Sequence, residues 1–253
     1  MIPEHLRHDA KSEAEVRVEL AALYRLVAHL RMTDLIYTHI SARVPGPEHH
    51  FLINPYGLLF SEVTASSLVK VDLDGNVIEK GAGGGVINPA GFTIHSALHH
   101  ARPDLTCIVH THTAAGIAIS TQKQGLLPIT QHALKFHGRL SYHGYEGIAT
   151  DHEERERLAR DLGTNKAMIL RNHGLLVGGR TIPEAFDQIY FLERACQAQL
   201  AAQSGGAELI WPPKSVRDHV ASQYDDGGYA PWIEPAWQAV LRDIASQRES
   251  YAG

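Results

Sequence analysis

Apolar residues recur at Val16, Leu20, Leu23, Val27 and Leu30, three or four positions apart. Ser12 stands where it can cap the first turn, so the pattern predicts an amphipathic helix over 11–30. The period then changes to two. Ile36 to Val44 reads as a strand, and Phe51-Leu52-Ile53 reads as another that enters the turn Asn54-Pro55-Tyr56-Gly57. Together they predict a hairpin. A second hairpin follows from Leu68 to Leu73 and Val77 to Glu79, because the intervening Asp74-Gly75 suits the positive-φ positions of a tight turn. Antiparallel strands therefore enter the sheet early.

A helix is expected over 88–101, with Ile94, Ala97 and Leu98 on its apolar stripe, and Arg102-Pro103-Asp104 ends it. The run Leu105 to Val109 reads as a buried strand, and Thr113 can cap a short helix through Ser120. Leu126 to Ile129 reads as a buried connector, and Gln131 to Gly147 as irregular. Glu153 to Leu162 predicts a charged helix ended by Gly163. Ala167 to Leu170 and Leu175 to Val177 are strands, and Thr181 opens a helix with Ala185, Ile189, Leu192 and Cys196 on its buried side. Beyond Ser204 no core periodicity emerges until a last helix near 235–244. Its tryptophans, Trp211, Trp232 and Trp237, are expected to pack on another surface such as a neighbouring subunit.

At 253 residues the chain is expected to be one domain over 1–253, with a core over 16–203 and a peripheral tail over 204–253. A formal charge of −5 gives no basic footprint, so neither nucleic acid nor an anionic membrane is expected as a partner. No stretch has the length of a membrane span, and the polar start Met1-Ile2-Pro3-Glu4-His5 is unlike a signal peptide, so a cytoplasmic location is expected. Cys107 and Cys196 have no redox or zinc-knuckle spacing and read as reduced core residues. Gly81 to Gly85 holds four glycines but lacks the lysine and hydroxyl of a phosphate loop, so it reads as a connector.

The chemistry concentrates on His110-Thr111-His112, at the end of a buried strand, where residues i and i+2 share a face. His173 follows a second apolar strand in Arg171-Asn172-His173-Gly174. Three imidazoles on strand ends can supply three ligands and leave a fourth position open, the construction of catalytic zinc sites. Spacing alone leaves chance open in a chain with 17 histidines. His95 and His99 are four apart but do not make the zincin pattern, and His99 and His100 are expected on a solvated helix face. The irregular segment carries His132, His137, Tyr142, His143, Tyr145 and Glu146, all able to move protons.

Six short motifs then occur in order: Ile40-Ser41-Ala42-Arg43, Phe51 to Gly57, Val71 to Gly75, Ala101 to Asp104, His110 to Thr113, and Arg171 to Leu175. In this the sequence resembles the class II aldolase/adducin family over about Val16 to Gln203. The resemblance implies a three-layer α/β/α domain around a largely antiparallel sheet, assembled as a homotetramer with sites between subunits. It also implies a divalent metal, usually zinc with manganese, cobalt or iron as alternatives, on His110, His112 and His173, polarising a carbonyl or enediolate oxygen. The aldolases' acid/base glutamate corresponds to Gly91, and their phosphate-binding Gly-Asn to Thr38-His39. Both departures are closer to the adducin branch, as are Ser61 to Val71 and Ala90 to Ala97. The chain has no long basic tail of the kind adducins use for actin and spectrin, so an actin role is not expected.

The expected function is therefore a metal-dependent lyase that cleaves a C–C bond of a non-phosphorylated carbonyl or aromatic acid through a metal-stabilised enolate. The candidate proton donors are His39, Tyr142 and His143. Alternatives are a non-catalytic adducin-like oligomerisation module and, more remotely, oxygenation at a three-histidine iron. A carboxylate introduced at Gly91 is expected to add a fourth ligand. His95, one turn on, or Glu146 are other groups that could have taken that place.

Overall fold

The computed structural model describes residues 11–147 and 152–253. Among these, eight strands form one sheet: β1 (His39–Arg43), β2 (Phe51–Ile53), β3 (Val69–Val71), β4 (Val77–Glu79), β5 (Cys107–Thr111), β6 (Leu140–His143), β7 (Ala167–Leu170) and β8 (Gly174–Gly179). Their order is β4-β3-β2-β1-β5-β8-β7-β6. Every neighbouring pair is antiparallel except β6–β7, which is parallel. Both predicted hairpins form.

Alternation along the central strands divides two cores. Cys107, Val109, Ile169, Leu175 and Val177 face the larger one, which includes the buried side of α1 (Glu13–His29) and α6 (Ile182–Ser204). Ile108, Met168, Leu170 and Leu176 face the other, under α2 (Pro89–Ala101) and α5 (His152–Leu162). The result is the expected α/β/α layering around a mixed, mostly antiparallel sheet. Both cysteines are buried and free.

Local chemistry sets the helix starts. The Ser12 hydroxyl accepts the Glu15 N–H while the Glu15 carboxylate accepts the Ser12 N–H, a capping box contributing about 1 kcal/mol. Thr181 caps α6, and Thr113 caps α3 (Ala114–Ser120). The buried Tyr24 hydroxyl of α1 accepts the N–H groups of Ile40, at 3.0 Å, and Asn54, at 3.1 Å. This ties the helix to β1 and to the end of β2, directly beside His39.

Two stretches differ from the sequence reading. The segment read as irregular contains α4 (Gln131–Leu134) and strand β6. Ser141 and His143 point inward on β6, and polar residues on the buried face hide the alternation. The tail forms α7 (Lys214–Gln223), α8 (Asp226–Asp243) and α9 (Arg248–Ala252). Trp237 lies in this chain's own core against Phe186, ring centres 5.6 Å apart, with Ile244 and Tyr251 beside it. Only Trp211 and Trp232 are exposed. Pro231 and Pro235 lie inside α8, which is why its helical period was illegible. No helix among the described residues is long and apolar enough to cross a membrane.

Because Trp237 is 1% exposed and Trp232 is 68% exposed, truncating them separates core from surface. Trp237→Ala is expected to cost about 3–5 kcal/mol and Trp232→Ala no more than about 0.5 kcal/mol. Urea unfolding of each variant measures both, and equal losses would contradict the placement of the tail in the core.

Candidate metal centre

The turn between β7 and β8 carries His173 into position. Asn172 takes a left-handed backbone, φ 55°, a conformation its short polar side chain tolerates better than most. The Ser120 carbonyl accepts the Asn172 N–H, and the Ser120 hydroxyl accepts the His173 N–H. Gly174 follows because a Cβ there would lie 2.4 Å from the Thr111 carbonyl oxygen of β5. Asn-His-Gly is thus the sequence of a turn that brings β8 flush against β5.

Across that seam the three histidines meet. One ring nitrogen from each of His110, His112 and His173 lies within 4.8 Å of the others. His110 Nδ1 donates to the Leu175 carbonyl at 2.9 Å, and His112 Nδ1 donates to the Asp34 carboxylate at 3.1 Å. These bonds place the protons on Nδ1, so each Nε2 presents a lone pair. The two Nε2 atoms are nevertheless only 2.9 Å apart. Two lone pairs facing at that distance repel unless a cation or proton lies between them, so the donor set fits a metal ion. Burial, followed by repulsion from neighbouring rings, holds His110 well below the ordinary imidazole pKa. Burial, with His112 and His143, brings His173 to about 4. Both rings are neutral at pH 7, the state in which an imidazole nitrogen can donate to a metal.

His39 pairs in register with His110 across β1 and β5, so the two rings leave the same face, stacked at 6.3 Å. Burial is the main cause that takes its pKa down to about 3. Gly91 lies beneath it: a Cβ at position 91 would sit 2.4 Å from the His39 ring. A glutamate at Gly91, expected from the sequence to add a fourth ligand, would therefore require the His39 ring to move, because that ring fills the space. His95 meets His39 edge to face at 5.8 Å. Its Nδ1 shares the Ser41 hydroxyl, at 2.6 Å, with His99 Nε2, at 2.8 Å. His99 is buried rather than solvated, because Ser41 gives α2 a polar partner on the sheet; His100 is the exposed one.

β6 separates the other two candidates by alternation. His143 faces the triad side, with Nδ1 at 2.8 Å from Asp161 and Nε2 at 3.8 Å from Glu154 and 3.9 Å from Glu146. It lines a small cavity together with His173 and Tyr145. Tyr142 points through the opposite face, where its hydroxyl accepts the Leu126 N–H and Arg171 covers its ring. Glu146 is gripped by Arg157 through a forked pair and is no part of the triad. His132 packs on Phe191, and His137 pairs with Asp218. Asp34, the orienting partner of His112, went unseen in the sequence, since a lone aspartate between predicted elements carries no signal.

The family model for the class II aldolase and adducin N-terminal domain matches residues 18–200. A solved aldolase II superfamily protein from Pseudomonas syringae is 55% identical, with 96% of each chain covered and a TM-score of 0.91. An L-fuculose 1-phosphate aldolase from Glaciozyma antarctica is 31% identical, with 92% of this chain and 91% of that one covered and a TM-score of 0.81. Alpha-adducin of Rattus norvegicus is 45% identical over 90% of this chain, which spans 32% of that protein. With the fold, the ordered motifs and these similarities in agreement, the chain belongs to the class II aldolase and adducin N-terminal domain family.

Proposed function

We propose that the protein is a divalent-metal-dependent lyase that cleaves a C–C bond, by retro-aldol reaction or decarboxylation, in a non-phosphorylated carbonyl or aromatic acid. The observation that carries this reading is the pair of Nε2 atoms held 2.9 Å apart, with His173 completing the set. His110, His112 and His173 would hold the ion: zinc first, with manganese, cobalt or iron(II) accepted by the same donors. A bound ion supplies Lewis-acid polarisation of a substrate carbonyl, which stabilises the charge left when the neighbouring C–C bond breaks.

The remaining chemistry falls to side chains. The Leu175 carbonyl and Asp34 keep the ligand tautomers fixed. Asp161 orients His143, leaving Nε2, on the side of the cavity shared with His173, as the atom that gives or takes a proton. Tyr142, turned through the sheet, braces the 121–129 segment instead. Arg43 donates to the His99 carbonyl and Arg171 to the Gln122 carbonyl, so these arginines are engaged away from a phosphate. This supports a substrate without one.

A second reading, a non-catalytic oligomerisation module, is favoured by the identity with alpha-adducin. Both readings take the chain as a homo-oligomer, a tetramer by family resemblance. Exposed Leu35 and Tyr37 flank Asp34 and offer apolar surface beside the triad.

Elemental analysis after metal supplementation should find about one ion per chain, lost in the His110→Ala, His112→Ala double variant; unchanged stoichiometry would refute the ligand set. Against a panel of 2-oxo and aromatic acids, wild type should release CO2 or exchange α-protons, and His143→Asn should be slower by about 10²–10⁴-fold. Inactivity across the panel with an intact oligomer would favour the scaffold reading. Light scattering should report several times the 27.8 kDa chain mass, and a monomer would contradict both.

A further inference from the structure

The two places where the sequence departs from the aldolase pattern are one packing unit. His39 and Gly91 come from different elements, β1 and α2, yet an added Cβ at 91 would lie 2.4 to 2.5 Å from three atoms of the imidazole ring. Any side chain at 91 and the present position of His39 exclude each other. The residue before it, Thr38, is β-branched and held at φ 69°, a backbone conformation such residues rarely accept. The chain is thus bent at some cost in the step that delivers this ring.

No hydrogen bond of the ring explains that cost. Both nitrogens of His39 are buried without a hydrogen bond, and so is Nε2 of His95, which meets His39 edge to face. Three unpartnered ring nitrogens in one contact pair are unusual, since buried polar groups are nearly always satisfied. They lie beside the triad, with the His39 ring stacked 6.3 Å from His110, but His39 is not among the three residues whose nitrogens converge. It is not a fourth member of that set, yet its ring stands beside His110, one of the three.

We propose that His39 is the specificity-determining residue of the centre, a hydrogen-bonding group for an oxygen of a carboxylate-bearing ligand seated on the three histidines, with Gly91 as the glycine its ring requires. This deepens the lyase reading and rests on its metal site. Three imidazole donors would leave a divalent ion with its full charge, and a 2-oxo or 2-hydroxy acid, which can chelate through a carboxylate oxygen and the adjacent keto or hydroxyl oxygen, both offsets that charge and presents an acceptor to His39.

The test uses the full chain loaded with cobalt(II), whose visible spectrum reports both metal uptake and oxalate binding without any turnover. His39→Ala should keep cobalt affinity within about twofold and weaken oxalate at least about tenfold, whereas His39→Gln, which retains an amide donor, should recover most of it. A loss of cobalt affinity in His39→Ala would make the residue a metal ligand and overturn the proposal, as would oxalate binding unchanged within about twofold. Wild type that takes up no cobalt would refute the metal reading and this ligand role together, whereas normal cobalt uptake with no effect of His39 on oxalate refutes only the latter. The packing unit is tested separately by thermal unfolding of the metal-free protein: Gly91→Ala should lower Tm by about 5 °C or more in wild type and by much less in the His39→Ala background. Equal shifts in the two backgrounds would overturn the interlock.

Discussion

The seam between β5 and β8 is the constraint on which the site depends. Two backbones run so close there that position 174 admits no side chain, and the same approach lets the Leu175 carbonyl accept the proton of His110 Nδ1. The His110 tautomer and the sheet register beside it are therefore fixed by one contact between strands. If that pairing slipped by one residue, every side chain on the shifted strand would change face, and His110 would no longer stand beside His173. The histidine triad is anchored on the sheet through His110, and that anchor is correspondingly rigid.

Sheet register also explains how the surrounding histidines divide. His39 on β1 stands opposite His110, and His143 on β6 stands opposite Leu170 on β7, so all project toward the layer of α2 and α5. Tyr142 stands opposite Ile169 and faces the other layer. Adjacent residues in one strand thus have unrelated roles.

Much of this was legible from the chain. Period-two runs, the Asp74-Gly75 turn and the capping residues identify the hairpins and helix starts, because each is a local signal. His110, His112 and His173 stand out only through spacing, strand-end position and the ordered family motifs taken together, because spacing alone is weak in a histidine-rich chain. What remained hidden depends on partners distant in sequence. Strand β6 was obscured by the inward Ser141 and His143; α8 by its two prolines; the burial of His99 by a serine 58 residues away. Gly91 shows the limit best. Read alone, it is a missing carboxylate; in three dimensions it is the room into which His39 fits.

The row of His39, Ser41 and Arg43 on β1 has a mechanical meaning. Apolar layers elsewhere in the molecule cohere through dispersion, which varies gently with small sliding motions. Against α2, however, this row engages through Ser41 to two ring nitrogens and through Arg43 to the His99 carbonyl. Such bonds are directional, and a shift of a fraction of a helical turn breaks them together. The helix that carries Gly91 is therefore keyed to the sheet like a cog in a tooth, so its displacement is a step between discrete positions and not a glide.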